Sequence, residues 1–440
     1  MGSRYDHFPK YDDFDPLVPV WCVTPRRGRI IHRFFDTSPF SPSGRYLGLT
    51  RLPFENRLPT PGDVAEIVLI DLETGEERVL TKTHGWGTQL GAQVQWGRDD
   101  TQLYFNDVDV NSWRAFGVKL NPFSGERKCL DGTVYMVSPD GNWAISPCLL
   151  RIGITQSGYG ITVPAEFIPL NQGASREDGV YLTNTSTGQC NLLVSFSEIL
   201  ETAKPNLDKN VYKNGDFYGF HVKWNPQGDR IMLVMRWMPR HLNQLTEMHP
   251  VNEFLRRIRY PHQINKIHQR MKRNLITMKA DGTDIHIAIP SSEWSKGGNH
   301  PNWCPDGETI MMNLKYHKDN AMRFVKFRYD GSHSGLISEE LRGSGHPSMH
   351  KNSRYIVTDA YPWETLSFKD GTVPIRFLDL NTHREETLLR IKVAPRFRSP
   401  KNELRIDPHP AWDTSFRYIA INASPNTTRR VYVADLKTLL

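Results

Sequence analysis

Four histidines sit at one repeated position. His221, His300, His346 and His409 each lie three residues before the Trp or Met of a recurring strand motif. In the other three copies of the motif that position holds Thr37, Gln93 and Val134. The whole chain has only 16 histidines, so four in equivalent positions of consecutive repeats is a pattern and not a scatter. Neutral imidazoles converging within bonding range suit a divalent transition metal. Asp407, two residues before His409, adds a carboxylate that could ligate or orient an imidazole. The other reading of these residues is a structural cap for the loop, which the His-Pro pairs at 300–301, 346–347 and 409–410 would fit.

These side chains meet only if the repeats close on themselves. The repeated unit is a polar approach, an aromatic residue, a Pro–Asp/Gly turn, an apolar strand and then a second hairpin around Asp-Gly or Thr-Gly. It reads FDTSPFSPSGRYLGLT at 35–50, GFHVKWNPQGDRIMLVMR at 219–236 and GNHPNWCPDGETIMMNL at 298–314, with four further copies between and after them. Each unit supplies four short strands, and seven such units predict an all-β fold, a seven-bladed β-propeller filling residues 1–440 as a single domain. The last copy runs out after its third strand, so the extended segment 16–25 is expected to complete the last blade. Innermost strands of a propeller line its axis, which would bring the four imidazoles to one mouth. Residues 238–272 interrupt blade four with a basic stretch expected to be helical, and a shorter insertion, 150–177, interrupts blade three.

Composition narrows the function classes. Hydrophobic residues make up 38% and charged residues 23%, enough for a sizeable core. No apolar run reaches the roughly 18 residues of a membrane helix, and no secretory h-region opens the chain. Five scattered cysteines give neither a CxxC pair nor a disulfide framework. A cytoplasmic protein is expected, without membrane or nucleic-acid partners. The net charge of +7 fits a polyanionic ligand such as an acidic oligosaccharide. No GxSxG, P-loop, GxGxxG or HExxH motif competes with the histidines.

Across most of its length the chain resembles the oligogalacturonate lyases, seven-bladed propellers that cleave pectin fragments by β-elimination. IIHRFF resembles that family's CHRNYF segment, GFHVKWNPQG its GHPIYRP segment, GNHPNWCPDG its THEFWVPDG segment and DPHPAW its QVTHPHPSF segment. The resemblance implies a polysaccharide lyase holding a divalent ion, manganese in that family, through His300, His346, His409 and Asp407. It implies His221 as the base. Arg236 is the arginine expected to assist catalysis, with His32, Arg33, Gln93, Arg240 and Arg405 as candidates for binding substrate. Three departures stand out: Asp407 replaces the first histidine of the family's HPHP, Leu404 falls where the family has a metal-binding glutamine, and the family's catalytic arginine has no counterpart near Gly179. A glycoside hydrolase on the same scaffold would want two carboxylates about 5 to 9.5 Å apart. A non-enzymatic binding propeller would need no ring of histidines. The sequence does not specify the oligomeric state.

Overall fold

A computed structural model describes residues 4–240, 271–316, 320–399 and 403–440. Its strands form seven four-stranded antiparallel sheets. Blade one holds β2 (Ile30–Ile31), β3 (Tyr46–Arg51), β4 (Ala65–Asp71) and β5 (Glu77–Thr83). Blade two holds β6 (Gln95–Trp96), β7 (Leu103–Asp109), β8 (Arg114–Leu120) and β9 (Arg127–Cys129). Blade three holds β10 (Met136–Val137), β11 (Trp143–Ser146), β12 (Gly179–Asn184) and β13 (Cys190–Ser195). Blade four, with the longest strands, holds β14 (Gly215–Trp224), β15 (Arg230–Pro239), β16 (Lys272–Lys279) and β17 (His286–Ile289). Blade five holds β18 (Gly298–Trp303), β19 (Thr309–Lys315), β20 (Met322–Arg328) and β21 (Gly335–Leu336), and blade six holds β22 (Ser348–Met349), β23 (Tyr355–Asp359), β24 (Thr372–Asp379) and β25 (Arg384–Lys392). Blade seven takes β26 (Ala411–Trp412), β27 (Tyr418–Ala423) and β28 (Arg430–Asp435) from one end of the sequence and β1 (Val20–Cys22) from the other.

The closing strand lies where the truncated last repeat requires it. Val20, Trp21 and Cys22 pair antiparallel with Ala434, Val433 and Tyr432. This covers the edge that β28 would otherwise leave open. The repeated motif explains the rest of the assembly. In its turn, the Asp306 carboxylate accepts the backbone N–H groups of Glu308 and Thr309, while Gly307 takes a φ of +71° that a side chain would resist. Indole N–H groups of the motif then stitch three of the blades to the one before. Trp96 donates to the Pro39 carbonyl at 2.9 Å, Trp303 to Lys223 at 3.4 Å and Trp412 to Ser348 at 3.3 Å.

The helical insertion expected at 238–272 falls largely outside the described residues, and its first edge is corrected. Met238 and Pro239 still belong to β15, and β16 begins at Lys272. The chain can keep pairing this far because Met238 is fully buried and Trp237 donates its indole N–H to the Tyr212 carbonyl. None of the described helices is long and apolar enough to cross a membrane.

Candidate metal and imidazole centre

The four histidines converge around one aromatic ring. Phe34 follows β2 in blade one, yet its ring lies 5.2 Å from that of His221, 6.1 Å from His300, 5.6 Å from His346 and 4.6 Å from His409. Those histidines come from blades four, five, six and seven. A side chain of blade one can touch all four only at the axis. Phe34 and Phe35 are 1% and 2% exposed, so they close the axis on this side of the imidazoles.

Backbone irregularity aims the imidazoles inward. In blades four and five the pairing register jumps between Gly219 and Val222, and between Asn299 and Asn302. These bulges contain His221 and His300. His300 and His409 adopt φ values of +56° and +50°, as does Gln93 at +59° in blade two. Residue 346 follows Gly345, whose φ is +63°. A regular strand would send alternate side chains into the blade; a bulge or left-handed residue turns one toward the axis. Such conformations cost of order 1–3 kcal/mol each and persist where the surroundings fix them.

His346, Asp407 and His409 can offer three ligand atoms within 4.8 Å of one another. The His300 ring stacks 3.9 Å from His346, and His346 lies 4.2 Å from His409. The fit to a metal rests on their hydrogen bonding. Both ring nitrogens of His409 and Oδ1 of Asp407 are buried without a partner. Leaving such groups unpaired is costly, and a cation would satisfy the Asp407 oxygen and one His409 nitrogen. His300 donates its Nδ1–H to the Gly345 carbonyl at 2.6 Å, which leaves the Nε2 lone pair facing the Tyr361 hydroxyl at 3.4 Å. His346 donates its Nδ1–H to Asp359, 2.9 Å and 3.0 Å from its two oxygens, so its Nε2 is also the free lone pair. The donor set is therefore two or three imidazoles and a carboxylate, suited to a borderline divalent ion.

Asp359 was not among the expected residues, and it is built to orient His346. It also accepts the backbone N–H of His346 at 2.6 Å and that of His409 at 3.3 Å. The Asp359→Asn variant should bind manganese about 10–100-fold more weakly, as loss of a carboxylate behind a ligating imidazole typically does. Titration calorimetry checks this, and unchanged affinity would remove Asp359 from the site.

His221 touches Phe34 but lies outside that group of three. Its Nδ1 shares a short hydrogen bond with the Tyr135 hydroxyl. Among the described residues its Nε2 has no partner. Burial, with Lys223 and Arg236 as the next contributors, holds the ring well below the ordinary imidazole range. Burial does the same to His300 and His409. All three are neutral at neutral pH, as bases or ligands must be. Beneath His221 lies a buried ionic cluster: Asp36 bridges Lys223 at 2.8 Å and Arg33 at 3.2 Å. Burial opposes the Asp36 charge, but Lys223 and Arg33 outweigh it and keep its carboxyl below the usual range. Asp36, Asp359 and Asp407 are each paired with a cation or an imidazole.

The remaining expected residues divide. Arg405 joins the centre: it donates to Asp407 at 2.8 Å and to the Tyr159 hydroxyl at 3.3 Å. Arg33 stacks on Tyr135 at 4.6 Å and reaches the Gln93 amide oxygen at 3.4 Å. Arg236 lies 3.4 Å over the Phe220 ring, beside His221. His32 lies behind the imidazole cluster. Its ring is fully buried 6.5 Å from His409, with both nitrogens unpartnered and its pKa pushed down to about 3 by burial. Arg240 stays apart, half-exposed and paired with Asp216 at 3.0 Å. The insertion in blade three reaches the site, supplying Thr155 and Gln156 to Arg236 and Tyr159 to Arg405.

A repeat signal could have located Asp359. It stands thirteen positions after His346. The same offset from the motif position gives Thr50, Asn106, Asn313 and Asn422 in other blades. Each reaches the next blade: Thr50 accepts the Ala92 N–H, Asn106 bonds Val134, Asn313 bonds the Gly345 carbonyl and Asn422 bonds His32. In blade six the same blade-to-blade tie carries a charge.

No protein-family model matches the chain, and no curated protein matches it by sequence. Solved structures do. A structure of an oligogalacturonate lyase in complex with manganese superposes with a TM-score of 0.61, covering 98% of this chain and 96% of the other at 13% identity. An oligogalacturonate lyase from Vibrio parahaemolyticus gives the same TM-score and identity over 97% and 96%. A puromycin-hydrolysing peptidase of Mycobacterium tuberculosis follows at 0.51 and 11% identity, with 94% of this chain matching 53% of that one. At these identities the likeness is one of fold, and it spans the whole propeller.

Proposed function

We propose that this propeller is a metal-dependent lyase that cleaves a uronic-acid-containing oligosaccharide by β-elimination. One observation carries the reading: ligand atoms of His409 and Asp407 that nothing among the described residues satisfies, beside a neutral His221 whose Nε2 has no partner there. The full-length likeness to oligogalacturonate lyases supports it at the level of fold.

The reaction removes the weakly acidic C5 proton of a uronate. His221 takes that proton on Nε2. The Tyr135 oxygen accepts the Nδ1–H, fixing the tautomer in which Nε2 is basic. The C5–H electron pair becomes the C4–C5 double bond as the C4–O bond breaks; the leaving glycosidic oxygen takes a proton from water, and the His221 imidazolium returns its proton to solvent. A divalent ion such as manganese, held by His346, His409 and Asp407 with His300 beside them, would draw charge from the uronate carboxylate and acidify C5. Arg405, tethered by Asp407, adds fixed positive charge on the carboxylate side, and Arg236 does so on the His221 side.

Incubating manganese-loaded protein with uronic-acid oligosaccharides should produce the ultraviolet absorbance of an unsaturated uronate. Hydrolysis would release reducing ends without that absorbance. No change with any acidic oligosaccharide would count against the enzymatic reading.

A further inference from the structure

Arg236 and Arg273 stand directly opposite each other on β15 and β16. Opposed residues of an antiparallel pair project from the same face, and like charges there repel. Among the described residues no acid pairs with either of them. Arg236 donates to the Thr155 hydroxyl at 3.1 Å and the Gln156 amide oxygen at 2.7 Å, both neutral, and its Nε is buried without a partner. Arg273 has no hydrogen bond or ion pair among the described residues. The neighbouring carboxylates are spoken for: Asp216 pairs with Arg240 and Asp178 with Arg151, each at 3.0 Å. Burial, then Arg273, holds Arg236 well below the ordinary guanidinium value, and burial lowers Arg273 as well. Two poorly solvated cations side by side destabilise the fold unless an anion joins them.

Their location gives the anion a purpose. Arg236 stacks on Phe220, whose ring lies 3.9 Å from that of His221. We propose that Arg236 and Arg273 form an anion subsite that holds a carboxylate or sulfate ester on the sugar next to the one being cleaved. The word sugar rests on the lyase reading; the anion subsite does not. It would make the preferred substrate one with charged groups on successive residues.

The first test uses inorganic sulfate against chloride at equal ionic strength on metal-free protein, followed by thermal unfolding. Wild type should gain stability with sulfate in a saturable way. Arg273→Gln should unfold at a higher temperature than wild type without sulfate, because the repulsion is gone. Its sulfate affinity should fall about 10–100-fold, the loss of one charged hydrogen-bonding partner. Equal saturable binding by both proteins, or a lower unfolding temperature for Arg273→Gln, would overturn the subsite. The second test titrates the His221→Ala protein, with and without Arg273→Gln, with digalacturonate and with a sulfated uronate disaccharide. The sugar whose affinity depends on Arg273 identifies the anion, and independence of both sugars from Arg273 would overturn the substrate assignment. If sulfate binds as expected but no sugar is eliminated, the subsite stands and the lyase reading fails.

Discussion

The His221→Ala protein should lose elimination activity by roughly 10²–10⁴-fold, the usual contribution of a positioned general base, while binding as much manganese as wild type. Activity falls because the variant has no neutral nitrogen at the open end of the Tyr135 hydrogen bond. Metal is retained because His221 lies outside the group formed by His346, Asp407 and His409. Steady-state kinetics and elemental analysis of the same preparation read the two halves. Loss of metal would make His221 a ligand, and full activity would remove it from the reaction. The pH profile adds an independent readout. A base must be unprotonated to act, and burial lowers the His221 pKa, so activity should persist as pH falls through the ordinary imidazole range near 6.5. The acid limb should appear only below it.

The His409→Ala protein should lose the metal, and with it the activity. Wild type, at manganese 100-fold above its dissociation constant, should gain about 2.7 kcal/mol of stability, and the variant should gain almost none. The metal-free variant should unfold close to metal-free wild type. His409 buries an imidazole with two unpaired nitrogens, so its removal deletes an unfavourable burial along with the packing against Phe34. Differential scanning calorimetry with and without manganese separates these effects. Manganese stabilisation in the variant equal to wild type would exclude His409 as a ligand. Its absence from wild type itself would exclude the metal centre.

The propeller was legible because its signals are local and repeated. A large apolar residue, a turn and an apolar strand recur along the chain. In three blades the residue is a Trp that donates to the blade before, and the turn Asp306 caps its own hairpin. The convergence of His221, His300, His346 and His409 followed from their common position. What escaped was whatever depends on contact between distant blades. Phe34 reads as one more apolar residue until its ring is seen among four imidazoles. Asp359 reads as the end of a strand. Asp36 and Lys223 are far apart in sequence and meet only beneath His221. His32 is placed only by its ring packing behind His409. The blade-four insertion stands out by its charge and lies largely outside the described residues, while Thr155, Gln156 and Tyr159 of blade three carry no comparable signal.

The last blade, built from both ends of the sequence, sets the order of assembly. Six blades can form as each segment leaves the ribosome, since their strands are neighbours along the chain. The seventh waits for β28, when a strand made at the outset meets one made about 410 residues later, although loop-closure entropy grows only as the logarithm of that distance. The inner strand carrying His409 sits in the same sheet. Until β1 docks, the aromatic pair at the axis has no complete ring around it and the ligand set lacks a settled member. Closure of the ring therefore arrives in a single late event, and a nascent chain stalled short of it would expose both an unpaired strand and an open axis.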